Sequence, residues 1–539
     1  MWILIGAGKP QWVVFRHNGP MFPPEYVPHQ IPIIYKGEEI ILPPLAEEYA
    51  TLYAKYLGTD YVEKTKFNKN FFKDFKEVLP SNLKNSTIDD FDFSKIKSHL
   101  ESESLKKKEM SKEEKEKLKI KNDELEEPYK YCNINGSKES VGNFKIEPPG
   151  IFLGRGDHPK IGSVKKRIKP EDVTLNLDKD AEIPKINIPG EWGKIINDDS
   201  VVWLATWKDH ITDKNKYIFT SMDSIFKSKS DESKFNLAKK LKRKINSIRN
   251  TYESKLESEN DKEKQLATAL YFIDRFALRV GGKKDKKEEA DTVGVTSLRV
   301  EHINLIPPNI VKMDFLAKDS IRYCKKVSVP KPVYDNLEKF INSKDKKEQL
   351  FNLISASSMN DYLEDFMKDL TAKVFRTYNA SFLFQKELDK INEEKVMAIH
   401  ESDRINYLLN LFHQANTEVA LLCNHQKSVT SNIDLQVDKI DTKIKLLKKK
   451  KNKYKEKKNK DKIEKIDSQI KLLKLKKNNK INQKNVSLST SKDNYIDPRI
   501  IYAFIKKYNI PQESQDKILT KSQSKKFSWA SEVEKEYRF

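Results

Sequence analysis

Residues 431–486 are dominated by lysine, yet their few apolar side chains are evenly spaced. Ile433, Val437, Ile440, Ile444, Leu447 and Tyr454 run at heptad-like intervals, as do Ile463, Ile466, Ile470 and Leu473, and the stretch between them, KEKKNKD, is wholly polar. A repeat near 3.5 residues places each set on one narrow stripe of a helix, and such a stripe is stable only against another helix. Two stripes joined by a polar tip predict helices that fold back as an antiparallel coiled coil. The competing reading of so basic a segment is a disordered tether. In a chain of 539 residues, too long for one hydrophobic core, the segment is expected to be a linker between domains.

Basic character extends well beyond it. The net charge is +22, and 34% of residues are charged against 37% hydrophobic. That leaves enough apolar material for buried cores but requires part of the chain to be solvated helix. Such a charge calls for a polyanion, and nucleic acid is favoured over an acidic membrane. No stretch approaches the length of a membrane-spanning helix, and the apolar start, residues 1–8, lacks a basic flank and is too short for a signal peptide. Cys132, Cys324 and Cys423 are far apart and form no CxxC pair, which fits a reducing compartment and argues against zinc fingers. The absence of a GxxxxGK[ST] loop argues against an ATP-driven motor.

The pattern changes along the chain. Residues 10–57 read as short strands and turns, with IPIIYKGEEIILPP forming a hairpin around Lys36-Gly37 and residues 46–57 a short amphipathic helix. Residues 99–128 predict a charge-dense solvated helix ending at Pro128. From Asn143 a basic, Pro- and Gly-rich loop region follows, then two strands around VVWLATW and KYIFTS; after about Phe226 the chain is mainly helical. Leu266, Leu270, Ile273, Ala277 and Val280 mark one apolar helix face, with Gly281 placed to end that helix. A hairpin with the tip AKDS comes next, and then two helices holding TAKVFRTYNASFLFQKEL and SDRINYLLNLFHQANTEVALLC. Ser402 or Asp403 is the expected N-cap of the second, and Asp497 with Pro498 is expected to open a later helix.

Several basic residues stand in otherwise tidy contexts. Arg279 is expected at a helix end beside Gly-Gly, Lys318 at a hairpin tip, Arg376 in an early helical turn and His425 just past a helix C-terminus. Singly, each has a plain reading: a C-cap charge, a turn lysine, a dipole-favoured histidine. Tyr495 alone reads as a packing tyrosine beside a helix start.

Their combination and wording change that balance. ALRVGG, FLAKDSIRY, TAKVFRTYNAS, LLCNHQ and SKDNYIDPRI occur in this order, and the set resembles the eukaryotic type IB DNA topoisomerases. NFKIEPPGIFLGRGDHPK, EEADTVGVTSLRVEHI and the closing KKFSWASEVEKEYRF are similar to the same family, so the resemblance runs from about Pro10 to the last residue. It implies that Tyr495 is a nucleophile that keeps the 3′ phosphate. Arg279 and Arg376 would hold the non-bridging oxygens, where a planar, permanently charged fork suits a phosphorane. His425 would donate to one of those oxygens, and Lys318 would protonate the departing 5′ oxygen. The phosphotyrosine would conserve bond energy, so resealing needs no ATP; the cationic side chains would replace a metal, and no cofactor is expected. Arg155, Asp319 and Asn494 correspond to positions beside the cleavage point where camptothecin-class inhibitors stack. Lys216 and Tyr217 correspond to DNA backbone and groove contacts.

Three other signals are set aside. Arg155-Gly156-Asp157 spells RGD, Asp90-Phe91-Asp92 gives a DxD in what reads as a polar loop, and His158 has no second ligand at metal spacing. The sequence also departs from the family. The opening MWILIGAGKPQW does not match the family's long charged N-terminal region, and Leu153 stands where an arginine is expected. Nuclear import is then left open: the basic run 445–458 is a candidate signal, and a DNA-facing linker is at least as good a reading of it.

The expected architecture is α+β and multidomain, a two-lobed DNA clamp. Residues 1–27 and 117–224 form a core lobe, 28–116 a cap lobe, 225–430 a mostly helical catalytic domain, 431–486 the coiled-coil linker and 487–539 a small helical C-terminal domain carrying Tyr495. The expected partner is duplex DNA, preferentially supercoiled, bound by a monomeric nuclear enzyme. A tyrosine recombinase and a non-catalytic nucleic-acid scaffold are the competing readings. All five catalytic positions carry the required residue type.

Overall fold

A computed structural model describes residues 10–342, 344–427, 432–456 and 458–539, so the reading of residues 1–8 lies outside the described residues. The chain divides into two compact units, one of residues up to Lys227 with Lys284–Asp291, the other of Ser228–Lys283 with Thr292–Phe539. No helix among the described residues is long and apolar enough to cross a membrane.

The first unit contains two cores. One is built on small sheets. Phe15–His17 pairs antiparallel with Tyr131–Ile134, which pairs with Ser137–Ser140. A four-stranded sheet runs in the order Lys194–Ile196, Thr174–Asn176, Trp203–Lys208, Asn215–Phe219. Trp12, Phe15, Phe22, Leu175 and Trp207 fill the space around them. His17 is buried there: its Nε2 donates to the Asn176 carbonyl at 2.9 Å and its Nδ1 accepts from Gly19 N at 3.0 Å. Both ring nitrogens are satisfied only in the neutral form, and burial lowers the pKa from 6.5 to about 4.

This has a measurable consequence. As pH falls, the unfolded chain takes up the His17 proton first, so the stabilisation is complete above 6.5 and is lost as pH approaches about 4. At ~1.4 kcal/mol per pKa unit the loss is about 3 kcal/mol. Urea midpoints should therefore fall between neutral and mildly acidic pH, and fall less in His17→Gln. Parallel losses in the two proteins would assign the effect elsewhere.

The second core of this unit is aromatic. Ile33–Tyr35 and Glu38–Ile40 form the expected hairpin, and Lys36 (φ 49°) and Gly37 (φ 93°) are both left-handed, as a type I′ turn requires. Helix α1 (Pro44–Ala54) begins two residues earlier than the periodicity indicates, because Pro44 suits the first helical position. Helix α2 (Thr65–Val78) buries Phe67, Phe71 and Phe75 along one stripe, with Tyr53 stacked on Phe71 at 4.3 Å. The charge-dense region is two helices rather than one, α3 (Ser94–Glu109) and α4 (Lys112–Glu126). The break is a capping box in which Ser111 and Glu114 satisfy each other's backbone amides. The DxD is not in a loop. Phe91–Asp92 pairs with the Ile33–Tyr35 strand, Asp90 accepts from the Thr87 amide, and Asp92 accepts from the Ser94 amide, so both carboxylates are caps. Leu153 packs against this aromatic core, which accounts for an apolar residue at that position.

The second unit opens within α5 (Ile225–Ser254), from Ser228 on, and continues with α6 (Asp261–Phe276). The latter ends at Phe276, five residues before Gly281, and its C-cap Ala277 is left-handed (φ 51°). Arg279 consequently lies in irregular chain beyond the helix and not at a helix end. Gly281 is required for another reason, since it packs so close to Gly294 that a side chain on either would overlap the other's backbone. Three antiparallel strands follow, Ile303–Ile306, Ile310–Leu316 and Arg322–Ser328. Then come α7 (Lys331–Asn342), α8 (Ala356–Phe366), α9 (Ala372–Asp389), α10 (Glu393–Met397) and α11 (Glu401–Leu422). The N-cap of α11 is His400, whose Nδ1 faces the Ser402 amide, and not Ser402 or Asp403.

Helices α12 (Ile433–Glu456) and α13 (Lys460–Asn482) run antiparallel, since Lys451 pairs with Asp467, Lys477 with Asp441 and Lys484 with Asp434. Ile440, Ile444 and Leu447 pack on Ile466 and Ile470 between them. Helix α13 is also fastened to α11: Asn479 Nδ2 donates to the Asn410 carbonyl at 2.8 Å, Gln483 Nε2 to Thr417 Oγ1 at 2.9 Å, and the His400 amide to Ser468 Oγ at 2.9 Å. Last come α14 (Ser489–Asn494) and α15 (Pro498–Lys507), the latter opened by Asp497, which accepts from the Arg499 amide, and by Pro498. One continuous core joins α5 to the C-terminus, including Phe235, Leu270, Phe375, Phe412, Ile501 and Phe539.

Candidate active site

Five elements of the second unit bring Arg279, Lys318, Arg376, His425 and Tyr495 together. Arg376 lies in the second turn of α9 and is buried. One guanidinium nitrogen, Nη1, donates to the Ala277 carbonyl, which the left-handed turn after α6 presents; Nη2 donates to the Cys423 carbonyl at 3.1 Å. Arg376 thus fixes both the chain leading to Arg279 and the chain leading to His425. The Arg279 carbonyl in turn accepts from the Val295 amide at 2.9 Å.

His425 is held on both sides. Its amide donates to the Ala420 carbonyl, and its own carbonyl accepts from the Ser487 amide, tying it to the segment that follows α13. Tyr495 follows α14. Its amide donates to the Ser491 carbonyl at 2.9 Å, and its carbonyl accepts from Ser381 Oγ at 3.0 Å. Ser381 also accepts from the Asp497 amide, so one buried hydroxyl pins the Tyr495 backbone to the helix that carries Arg376.

The side chains converge accordingly. The Tyr495 ring stacks on His425 with centroids 5.4 Å apart, and the Arg376 guanidinium carbon lies 4.9 Å from the Tyr495 centroid. A cavity of about 150 Å³ is lined by Arg279, Lys318, Asp319, Tyr323, Arg376 and His425. Lys318 is exposed at the hairpin tip, where Asp319 (φ 67°) and Ser320 (φ 58°) are both left-handed. That hairpin is anchored to the His425 loop, because Asn424 Nδ2 and Gln426 Nε2 both donate to the Arg322 carbonyl, at 3.3 and 3.2 Å.

The electrostatics suit an anion. Burial, then Arg376 and Arg279, drive the His425 pKa down to about 3, so its imidazole is neutral. Burial and the neighbouring Arg376 lower Arg279 from its ordinary value, while Tyr495 and Asp319 act the other way. Three buried polar atoms here, Arg376 Nε, His425 Nε2 and Tyr323 Oη, have no hydrogen-bond partner among the described residues. Orphaned polar atoms of this kind cost about 1–3 kcal/mol each. An incoming tetrahedral or bipyramidal oxyanion would satisfy them, at hydrogen-bond strengths raised by the exclusion of water. Among the described residues no group of three or more His, Cys, Asp or Glu is arranged to hold a metal ion.

The other expected contacts lie around or apart from this cluster. Asn494 is exposed and its Nδ2 donates to the Thr490 carbonyl at 3.1 Å. Arg155, Lys216 and Tyr217 belong to the first unit. Arg155 is exposed between two left-handed glycines, Gly154 and Gly156, and Asp157 pairs with Lys66. The Lys216 ammonium is shared by Glu147 at 2.8 Å and Asp209 at 2.9 Å, and Tyr217 sits between Trp203 and Phe219 on the sheet. His158 accepts from the Lys160 amide and packs on Phe152. Sequence reasoning did not single out Tyr323, Ser381, Asn424 or Ser491. All four lie within the motif stretches, but only the fold reveals what they face.

Comparison with known proteins follows the same lines. Residues 10–220 match the family model of the eukaryotic DNA topoisomerase I DNA binding fragment. Residues 223–458 match that of the eukaryotic DNA topoisomerase I catalytic core, and residues 467–539 that of the C-terminal topoisomerase domain. DNA topoisomerase 1 of Homo sapiens is 38% identical over 560 residues, covering 98% of this chain and 72% of the human one. DNA topoisomerase 1 alpha and beta of Arabidopsis thaliana are 40% and 39% identical over 99% of this chain. The chain spans 60% of the length of each Arabidopsis protein.

Proposed function

Because the chain belongs to the eukaryotic DNA topoisomerase I family, we propose that it relaxes supercoiled duplex DNA by cutting and resealing one strand through Tyr495. The observation that carries this reading is the stacking of Tyr495 against His425 and Arg376, with Arg279 and Lys318 lining the adjoining cavity. The phenol gives its proton to water as its oxygen attacks the scissile phosphorus. Arg279, Arg376 and a hydrogen on His425 Nε2 meet the charge that builds on the non-bridging oxygens. Lys318 gives a proton to the 5′ oxygen as the phosphorus–oxygen bond breaks. The downstream duplex rotates, and the 5′ hydroxyl then attacks the 3′-phosphotyrosine and expels Tyr495. One phosphodiester is exchanged for another of similar energy, so no ATP is required, and the arginines, lysine and histidine take the charge-stabilising part a metal would otherwise play.

Arg155, Asp319 and Asn494 are assigned to contacts beside the cut, and Lys216 and Tyr217 to the duplex. Since Lys216 is engaged by Glu147 and Asp209, a phosphate must compete with two carboxylates for it. The lobe, linker and C-terminal boundaries, the clamp around DNA, the monomeric state and the nuclear location belong to the same proposal.

The test is relaxation of supercoiled plasmid in EDTA without ATP. Relaxed topoisomers should appear, and DNA affinity should drop by orders of magnitude between about 50 and 200 mM salt if 6–10 phosphates are contacted. An absolute need for a divalent metal, or inactivity toward plasmids without a specific recombination site, would overturn the reading.

A further inference from the structure

A neutral imidazole carries one ring hydrogen, and the partner of one nitrogen decides what the other presents. For His425 the partner of Nδ1 is Ser491 Oγ, at 2.8 Å, with Ser491 fully buried. Nothing in the distance says which atom donates, but the surroundings do. If Nδ1 held the hydrogen, Ser491 would accept it and its own hydroxyl hydrogen would have no acceptor among the described residues. Nε2 would then be a bare lone pair with two guanidinium groups close by, yet no guanidinium N–H is bonded to it. If the Ser491 hydroxyl donates to Nδ1, its own hydrogen is satisfied, and Nε2 carries a hydrogen that only an incoming acceptor can meet.

We propose that Ser491 is a positioning residue whose hydroxyl donates to His425 Nδ1 and thereby keeps the ring's single hydrogen on Nε2, aimed into the cavity beside Tyr495. The proposal rests on the strand-cutting reading and deepens it. Because burial and the two arginines keep His425 neutral, its tautomer rather than its charge state determines whether it can donate to a phosphorane oxygen. Ser491 is suited to couple the two halves of the site. It lies four residues before Tyr495, and its carbonyl accepts from the amides of both Tyr495 and Ile496. One residue thus sets the turn that holds the tyrosine and orients the histidine that arrives from the other side of the α12–α13 pair.

The tautomer is directly measurable. In protein labelled with ¹⁵N-histidine, the His425 signals, identified by their loss in His425→Gln, should show a protonated Nε2 and an unprotonated, hydrogen-bonded Nδ1 from about pH 5 to 8. A protonated Nδ1 overturns the proposal whatever any variant does. In single-turnover cleavage of a nicked suicide duplex, Ser491→Ala should lower the rate by about 10-fold or more without weakening duplex binding, and Ser491→Thr should restore it. In a His425→Ala background, Ser491→Ala should add less than about 2-fold. Equal losses in both backgrounds would mean that Ser491 acts through the fold and not through His425. A wild-type chain that cannot relax plasmid would instead remove the reading beneath the proposal, while the tautomer measurement would still stand on its own.

Discussion

Tyr495→Phe should abolish covalent capture of DNA while leaving duplex binding nearly unchanged. The substitution deletes one oxygen and keeps the ring that stacks on His425 and lies under the Arg376 guanidinium. The backbone at this position is held independently of the phenol, by Ser381 and by the Ser491 carbonyl. The cost to folding should therefore stay within about 1 kcal/mol. The cationic lining, Arg279, Arg376 and Lys318, is untouched, so affinity for a nicked suicide duplex should hold within about 2-fold at fixed salt. On a denaturing gel the wild-type chain should shift the labelled strand and the variant should leave it free. An adduct that survives in Tyr495→Phe would move the nucleophile to another residue.

Much of the site was legible because its residues sit on elements whose signals are local. The Lys318 hairpin follows from alternating strands around a polar tip, and the Asp497-Pro498 helix start from capping chemistry. The apolar repeats in 431–486 mark the stripe on which Ile440, Ile444, Leu447, Ile466 and Ile470 meet. What was not legible depends on distant partners. Ala277 has no local reason to be left-handed; its carbonyl is engaged by Arg376, 99 residues away. Gly281 looks like a helix terminator in sequence, but its close approach to Gly294 is a tertiary fact. The fastening of α13 to α11 through Asn410–Asn479 and Thr417–Gln483 is carried by polar residues that a heptad search ignores. His400 as an N-cap was missed because its ring substitutes for the usual short side chain. Ser491 reads as one more small polar residue until the fold sets it against His425.

Lys318→Ala separates proton donation from charge stabilisation. The hairpin should survive it: the Ala317 amide donates to the Ile321 carbonyl at 2.8 Å, and the Arg322 carbonyl is gripped by Asn424 and Gln426, none of which involves the lysine side chain. Lys318 is itself exposed, so little packing is lost. A missing general acid typically costs ~10²–10⁴ in rate, and that is the expected loss for cleavage of an ordinary phosphodiester. Resealing runs through the same transition state, so the step in which Lys318 recovers a proton from the 5′ hydroxyl should slow as well. The distinguishing substrate carries sulfur in place of the bridging 5′ oxygen. A thiolate leaves without prior protonation, since thiols ionise several units below alcohols, with a free cysteine near pKa 8.5. On that substrate Lys318→Ala should cleave within about 10-fold of the wild-type chain. Arg376→Ala should remain slow on both substrates, because the role proposed for its guanidinium is to answer charge on the non-bridging oxygens, which sulfur at the bridge does not relieve. If sulfur failed to rescue Lys318→Ala, the lysine would be a phosphate-holding cation like the arginines, and the proton for the 5′ oxygen would have to come from another donor at the hairpin tip or from water.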